Sequence, residues 1–107
     1  LNNWNVSNVR RMRDMFTGAT SFNQPLNNWN VSKVTYVSFM FDGASSFNQP
    51  LNKWNVSNVV NMEEMFACAS SFTANLYLLG SLGKRFLRFF RRASSPTRIF
   101  PRHYVFY

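Results

Sequence analysis

Few side chains in this chain are of the types that carry acid–base, nucleophilic or metal chemistry. His103 is the lone histidine, with no acid beside it, and Cys68 is the lone cysteine. A general base or a bound metal ion needs further polar partners, and the sequence supplies none near His103. Cys68 takes the place that glycine holds in two similar segments, which predicts a small packed position rather than a nucleophile. We therefore expect no catalytic residue, no metal, no cofactor and no enzyme.

Two other groups have a structural explanation that outweighs a chemical one. Glu63 and Glu64 are adjacent acids, and the sequence predicts an exposed pair rather than an acid–base dyad. Met12 and Met15 could bind a soft metal, but their spacing beside Phe16 is that of an apolar core. No glycine-rich phosphate loop is present.

Three asparagines stand in the acceptor pattern Asn-x-Ser for N-glycosylation: Asn5, Asn30 and Asn55. Glycosylation would require a eukaryotic secretory route and an exposed side chain at every site. The other interpretation is structural, with stacked asparagine side chains bonding the bends of neighbouring repeats. The sequence favours the structural interpretation and leaves glycosylation open.

The elements that must position these residues repeat every 25 residues. The segment Leu-Asn-Asn-Trp-Asn-Val-Ser at Leu1 returns identically at Leu26 and, with one change, at Leu51. A fixed period of this size is typical of solenoids. It divides the chain into the repeats 1–25, 26–50 and 51–75, which form one predicted domain, 1–75.

Nine apolar positions recur in every repeat and predict the core. In the first repeat they are Leu1, Trp4, Val6, Val9, Met12, Met15, Phe16, Ala19 and Phe22. The polar positions between them vary from repeat to repeat. We expect the same face to be buried in each repeat, while the exposed positions differ.

The spacing within a repeat predicts short strands and a short helix. The first repeat offers Trp4 to Val9 as short extended segments, and Met12, Met15, Phe16 and Ala19 follow the spacing of one helical face. Gly18 and Gly43 stand near the end of the first two expected helices, where a left-handed residue is commonly needed. The predicted fold is an α/β solenoid of three 25-residue turns.

These motifs resemble a known repeat. Trp-Asn-Val-Ser-x-Val, then Met-x-x-Met-Phe-x-x-Ala, then Ser-Phe-Asn-Gln-Pro-Leu, is similar to the BspA-like leucine-rich repeat of bacterial surface proteins and some protist proteins. The resemblance covers residues 1–75, although Thr73-Ala74-Asn75 departs from Asn-Gln-Pro. It implies a leucine-rich-repeat-like solenoid at a cell surface or secreted, with adhesion or protein-binding roles and no defined catalytic residues.

The remaining residues, 76–107, form a divergent basic and aromatic tail. The chain has a net charge of +8, and this tail holds seven of its twelve basic residues and no acid. On a helical wheel residues 76–92 form a basic amphipathic helix, which would bind an anionic membrane surface. The candidate membrane-contacting residues are Lys84, Arg85, Phe86, Arg88, Phe89, Phe90, Arg91 and Arg92.

Other interpretations of the tail stay open. Its apolar residues would equally cap the open end of the solenoid, and a shifted reading frame would explain the abrupt loss of the repeat after Leu76. Nucleic-acid binding through phosphate contacts ranks behind these.

The sequence therefore predicts a non-enzymatic protein-binding or adhesion module, a fragment of a longer array, with an unnamed protein partner. Membrane association through residues 76–92 is the alternative. No signal peptide is present in the chain.

Overall fold

The computed structural model describes residues 1–72, which form three successive stacked turns of 25-residue period. These residues contain no helix and no strand of more than one residue. Their only sheet-like pairing is two isolated parallel bridges, Arg11 with Tyr36 and Tyr36 with Asn61. The α/β solenoid of strands and helices predicted from the sequence is therefore wrong, although both bridges join residues 25 positions apart.

Backbone hydrogen bonds between residues 24 positions apart hold the turns together. Phe16 N–H donates to the Met40 carbonyl at 2.8 Å, and Phe41 N–H donates to the Met65 carbonyl at 2.8 Å. The same relation holds at alternate residues along each turn, with donors Met12, Asp14, Phe16 and Gly18 in the first turn and Val37, Phe39, Phe41 and Gly43 in the second. These N–H groups all bond to the turn that follows, so their peptide dipoles are aligned along the stack.

The predicted helix is replaced by consecutive tight turns. Within each repeat N–H groups bond three residues back, as Met15 does to Met12 and Ala19 does to Phe16. Between them, Phe16 and Gly18 donate to the next repeat and not to a carbonyl four residues back. Left-handed backbone at Asp14 (φ 60°) and Gly18 (φ 72°) prevents a helical path. The apolar residues have helical spacing because two consecutive tight turns place them on the same side of the backbone.

The predicted strands over Trp4 to Val9 are also absent. Trp4 N–H bonds the Leu1 carbonyl and Val9 N–H bonds the Val6 carbonyl, so two tight turns occupy this stretch. These N–H groups are satisfied within the turn and are not part of a strand ladder.

The core runs along the stack as columns of identical side chains. Phe16, Phe41 and Phe66 are stacked with ring centroids 5.5 and 5.3 Å apart. A second column holds Phe22, Phe47 and Phe72, at 5.8 and 6.0 Å. The nine predicted core positions are buried throughout the second and third turns.

The first turn departs from that prediction. Leu1, Trp4 and Met15 are exposed, and Val9, Phe16, Ala19 and Phe22 are only partly buried. The second turn covers one side of the first turn, and no described residue covers the other side.

Candidate functional site

The exposed side chains beside the two bridges form the most varied surface of the stack. We call this the ladder surface and define it by the exposed residues Arg10, Arg11, Tyr36 and Val60 together with the half-buried Asn61. Val60 is 56% exposed although it is apolar, and Tyr36 is 36% exposed. Each turn contributes different side chains here while its backbone repeats.

The bridge between Arg11 and Tyr36 aligns their side chains as well as their backbones. The Cζ atom of Arg11 lies 5.5 Å from the centre of the Tyr36 ring, within cation–π range. This contact orients the guanidinium over the ring. Arginine and tyrosine are both enriched where protein interfaces concentrate binding energy.

The backbone beneath the ladder surface is held on both sides. Thr35 N–H donates to the Arg10 carbonyl at 2.7 Å, and Val60 N–H donates to the Thr35 carbonyl at 2.8 Å. The Thr35 hydroxyl donates to the Arg10 carbonyl as well, at 3.0 Å. The exposed side chains therefore project from a backbone fixed by cross-turn bonds.

One varied position is not part of this surface. Arg13 and Glu63 are exposed, but Ser38 at the same place in the second turn is buried. Arg13 lies 3.8 Å from the Asp14 carboxylate, and both side chains are exposed, so this ion pair contributes little stability.

Charge changes sign along the stack. The first turn carries Arg10, Arg11 and Arg13, whereas the third turn carries Glu63 and Glu64. The arginines lie on the turn whose free carbonyls form the negative end of the aligned peptides, and the glutamates lie toward the positive end. This arrangement follows the rule that opposite charges stabilise the ends of a row of aligned peptide dipoles.

Asp42 is the one carboxyl group in the described chain whose titration is clearly perturbed. Partial burial, followed by the negative charges of Glu64 and Asp14, raises the pKa of Asp42 above its ordinary value of 3.8. The three acids belong to three different turns, so stacking brings them within electrostatic range. Residues 1–72 contain no group of three or more histidine, cysteine or acidic side chains arranged to hold a metal ion.

The three Asn-x-Ser asparagines are exposed and share one local geometry. The Oδ1 atoms of Asn5, Asn30 and Asn55 each accept the backbone N–H two residues ahead, at 3.1 Å. These bonds lie within one turn and do not join neighbouring turns, so the structural interpretation was wrong in its detail for this column. Asparagines elsewhere do bridge turns, as Asn27 does to Asn52 at 3.1 Å.

The remaining chemical candidates are not brought together. Cys68 is exposed and not packed, and its backbone is left-handed at φ 57°. Met12, Met62 and Met65 are buried, as a core role requires, while Met15 is exposed. His103 and the membrane-contacting residues Lys84 to Arg92 lie outside the described residues. None of the residues described forms a helix long and apolar enough to cross a membrane.

Sequence reasoning identified the varied positions but missed the exposed set Leu1, Trp4 and Met15. These three residues have the same residue types as the buried residues at the equivalent positions of the other turns, so residue type alone predicts that they are buried. The only available signal was their place in the first copy, since a first repeat lacks a preceding copy within the sequence.

Comparison with known proteins gives one match. Residues 1–83 match the family described as Mycoplasma protein of unknown function, DUF285. No curated protein and no solved structure gives a match. Because the family match covers most of the chain, this protein belongs to the DUF285 family.

Proposed function

We propose that this DUF285 protein is a non-enzymatic protein-binding or adhesion module of a surface or secreted repeat protein, similar to BspA-like proteins. The binding site is the ladder surface. The observation that carries this proposal is the contrast between a repeated backbone and varied exposed side chains along the bridges at Arg11, Tyr36 and Asn61. Stacked repeats commonly use such a continuous surface for binding.

The chemistry of the ladder surface supports a protein partner. Val60 and Tyr36 offer apolar area, and Arg10 and Arg11 offer charged donors beside it. A partner that combines an acidic side chain with an apolar one would be complementary to this surface at the first-turn end. Binding would cost little ordering entropy in the backbone, because cross-turn hydrogen bonds already fix it.

The test is binding of the full chain to an array of secreted and cell-surface proteins. The double variant Arg11→Ala/Tyr36→Ala should abolish saturable binding, because it removes the cation–π pair. The matched control is Asn3→Ala/Asn28→Ala, which changes two exposed side chains of the same turns away from the bridges. Loss of binding in the control as well, or retention in the ladder variant, would contradict the proposal.

The membrane alternative is decided in the same experiment. A full-length variant with glutamine at Lys84, Arg85, Arg88, Arg91 and Arg92 removes the basic charge of that segment. Under our proposal this variant binds its protein partner normally. If the unaltered chain binds only anionic vesicles, and this variant and high salt both abolish that binding, the membrane function replaces ours.

A further inference from the structure

A row of exposed polar side chains lies on the bend near the start of each turn. Two positions on this bend, three residues apart, are exposed in all three turns, and asparagine fills five of the six places. We call these residues the amide face: Asn5, Asn8, Asn30, Lys33, Asn55 and Asn58. Unlike the ladder surface, the amide face presents nearly the same side chains on every turn, so a ligand that binds one turn meets the same groups on the next.

Four asparagines of the amide face present unused donors, because their acceptor atoms are already bonded. The Oδ1 atoms of Asn5, Asn30 and Asn55 each accept a backbone N–H at 3.1 Å. The Asn8 Oδ1 atom accepts the ammonium group of Lys33 at 3.1 Å. These partners can only donate, so each amide must turn its oxygen toward them. The Nδ2 groups of these four asparagines make no hydrogen bond with any residue of 1–72.

The bends that carry the amide face are fixed before any ligand binds. Each bend is closed by a backbone hydrogen bond of 2.9–3.0 Å, as Val9 N–H makes to the Val6 carbonyl in the first turn. Neighbouring bends are also joined, since Asn58 Nδ2 donates to the Ser32 carbonyl at 2.7 Å. A ligand therefore meets an ordered row of donors, and little ordering entropy is lost on binding.

The stretches that form the bends carry positive charge and no acid. Residues 1–9, 26–34 and 51–59 contain Lys33 and Lys53 as their only ionisable side chains. All four acidic residues of the chain lie outside these stretches. Amide donors beside positive charge are complementary to a ligand that is rich in acceptor oxygens and negatively charged.

The period of the stack favours a ligand that repeats. The rings of Phe16, Phe41 and Phe66, which belong to the same three turns as the bends, are 5.5 and 5.3 Å apart. One sugar unit of an extended polysaccharide spans a comparable length. A polymer that lies along the stack can place an acidic sugar beside each turn, and contacts within one polymer reinforce one another through effective concentration.

We propose that the amide face binds a linear acidic polysaccharide, one that carries a carboxylate on its sugar units. The polymer lies along the stack, and its carboxylate and hydroxyl oxygens accept from the Nδ2 groups of Asn5, Asn30 and Asn55. Lys33 adds a charge-assisted contact at the middle turn. This site is separate from the ladder surface and does not depend on the function proposed there.

Other polyanions fit the amide face less well. Its six residues include one lysine, no arginine and no aromatic side chain. Nucleic-acid sites combine several phosphate-binding cations with aromatic side chains on which bases stack. An anionic membrane is bound by basic residues together with apolar side chains that insert, and the amide face offers no such side chain. Neutral amide donors suit the carboxylate and hydroxyl oxygens of a sugar.

The test is binding of the full chain to polygalacturonate, with the methyl ester of the same polymer as the uncharged control. Asn30→Asp keeps an oxygen that accepts the Ser32 N–H, so the bend is retained, but it replaces the Nδ2 donor by a negative charge. We expect this variant to bind polygalacturonate about tenfold more weakly. Lys33→Gln should weaken binding as well. Equal urea midpoints will show that both variants keep the fold.

The matched control is Ser46→Asp, which makes the same charge change at an exposed site of the same turn outside the amide face. It should leave binding unchanged, and so should Arg11→Ala/Tyr36→Ala, which separates this proposal from that for the ladder surface. The methyl ester should bind far more weakly than the acid. Equal binding of the two polymers, or equal weakening by Ser46→Asp and Asn30→Asp, would overturn the proposal.

The basic tail is the competing source of polyanion binding. The full-length variant with glutamine at Lys84, Arg85, Arg88, Arg91 and Arg92 should still bind polygalacturonate. If that variant loses binding while Asn30→Asp keeps it, the tail binds the polymer and the amide face does not. Tighter binding of DNA or of anionic vesicles than of polygalacturonate, with the same sensitivity to Asn30→Asp, would assign the face to another class of ligand.

Discussion

Trp54 donates its indole N–H to the carbonyl oxygen of Leu26 one turn earlier, at 2.9 Å, and both residues are buried. The bond joins the two residues that mark the start of every repeat. Trp29 makes the same bond to the Leu1 carbonyl at 2.7 Å, so Trp29 and Trp54 each join their own turn to the turn before.

Replacing Trp54 by phenylalanine should therefore destabilise the stack. The lost hydrogen bond costs about 1 kcal/mol, and the cavity left by the smaller ring adds a similar amount. The Leu26 carbonyl keeps the N–H of Trp29 as a second donor, which limits the cost. Trp4→Phe is the matched control at an exposed site and should change the free energy of unfolding by less than about 0.5 kcal/mol. Urea denaturation measures both; equal effects would contradict the role of the bond.

Two left-handed backbone positions predict opposite changes in the free energy of unfolding when glycine is introduced at one and removed from the other. Gly43 has φ 76° and Cys68, its equivalent in the third turn, has φ 57°. A side chain in this conformation costs about 1–2 kcal/mol, so Cys68→Gly should raise the free energy of unfolding by about 1 kcal/mol.

Gly43→Ala should lower stability by a similar amount. A Cβ at Gly43 would lie 3.5 Å from Gly18 Cα, an ordinary contact, so the cost comes from the backbone conformation and not from a clash. Thermal denaturation of the two variants measures the pair. A stabilised Gly43→Ala protein, or a destabilised Cys68→Gly protein, would show that these positions are not left-handed in solution.

Asp42 gives a pH prediction. Its pKa is raised in the folded state, so the folded chain holds the proton more tightly than the unfolded chain does. The free energy of unfolding must therefore fall as the pH rises from below 3.8 through the raised pKa, and the loss persists above it. Asp42→Thr installs the residue that the first turn has at this place and removes the effect.

The measurement is the stability difference between Asp42→Thr and the unaltered chain across pH. Titrations common to both proteins cancel in this difference. We expect the variant to gain stability relative to the unaltered chain as the pH rises, with a constant difference below 3.8. A relative gain on acidification instead would contradict the raised pKa.

Two neighbouring asparagines test the bonding between turns. Asn27 Oδ1 accepts the N–H of Lys53 at 3.0 Å, and Asn27 Nδ2 donates to Asn52 at 3.1 Å. Its neighbour Asn28 is exposed and its side chain bonds no described residue. Asn27→Ala should cost about 1 kcal/mol and Asn28→Ala less than about 0.5 kcal/mol. Chemical denaturation measures both variants. Equal losses in the free energy of unfolding would show that the bonds of Asn27 to the third turn do not stabilise the stack.

The sequence was sufficient to predict the period and most of the core. Identical columns such as Phe16, Phe41 and Phe66 imply translation by one repeat, whatever the backbone path between them. The path itself was mispredicted because a helix and a chain of tight turns can both place Met12, Met15 and Phe16 on one side. The distinction depends on left-handed residues, and Asp14 and Phe39 adopt that conformation without being glycine.

The candidate site was predictable only in outline. Variation at Arg11, Tyr36 and Asn61 marked an exposed column, but the bridge and the cation–π contact depend on cross-turn geometry. Ser38 shows the limit of the polarity rule, since it is polar and varied yet buried. The exposure of Leu1, Trp4 and Met15 could not be predicted, because their residue types are those of a core and only their position on the outer turn exposes them.

The ladder surface rests on turns that are joined by hydrogen bonds between residues 24 or 25 positions apart, so those bonds are the most direct test of the account. Through-bond NMR couplings between amide nitrogens and carbonyl carbons identify each acceptor. We predict couplings from Phe16 N–H to the Met40 carbonyl and from Phe41 N–H to the Met65 carbonyl. Couplings from Phe16 to the carbonyl of Met12, four residues back, would instead show the helix that the stacked turns exclude.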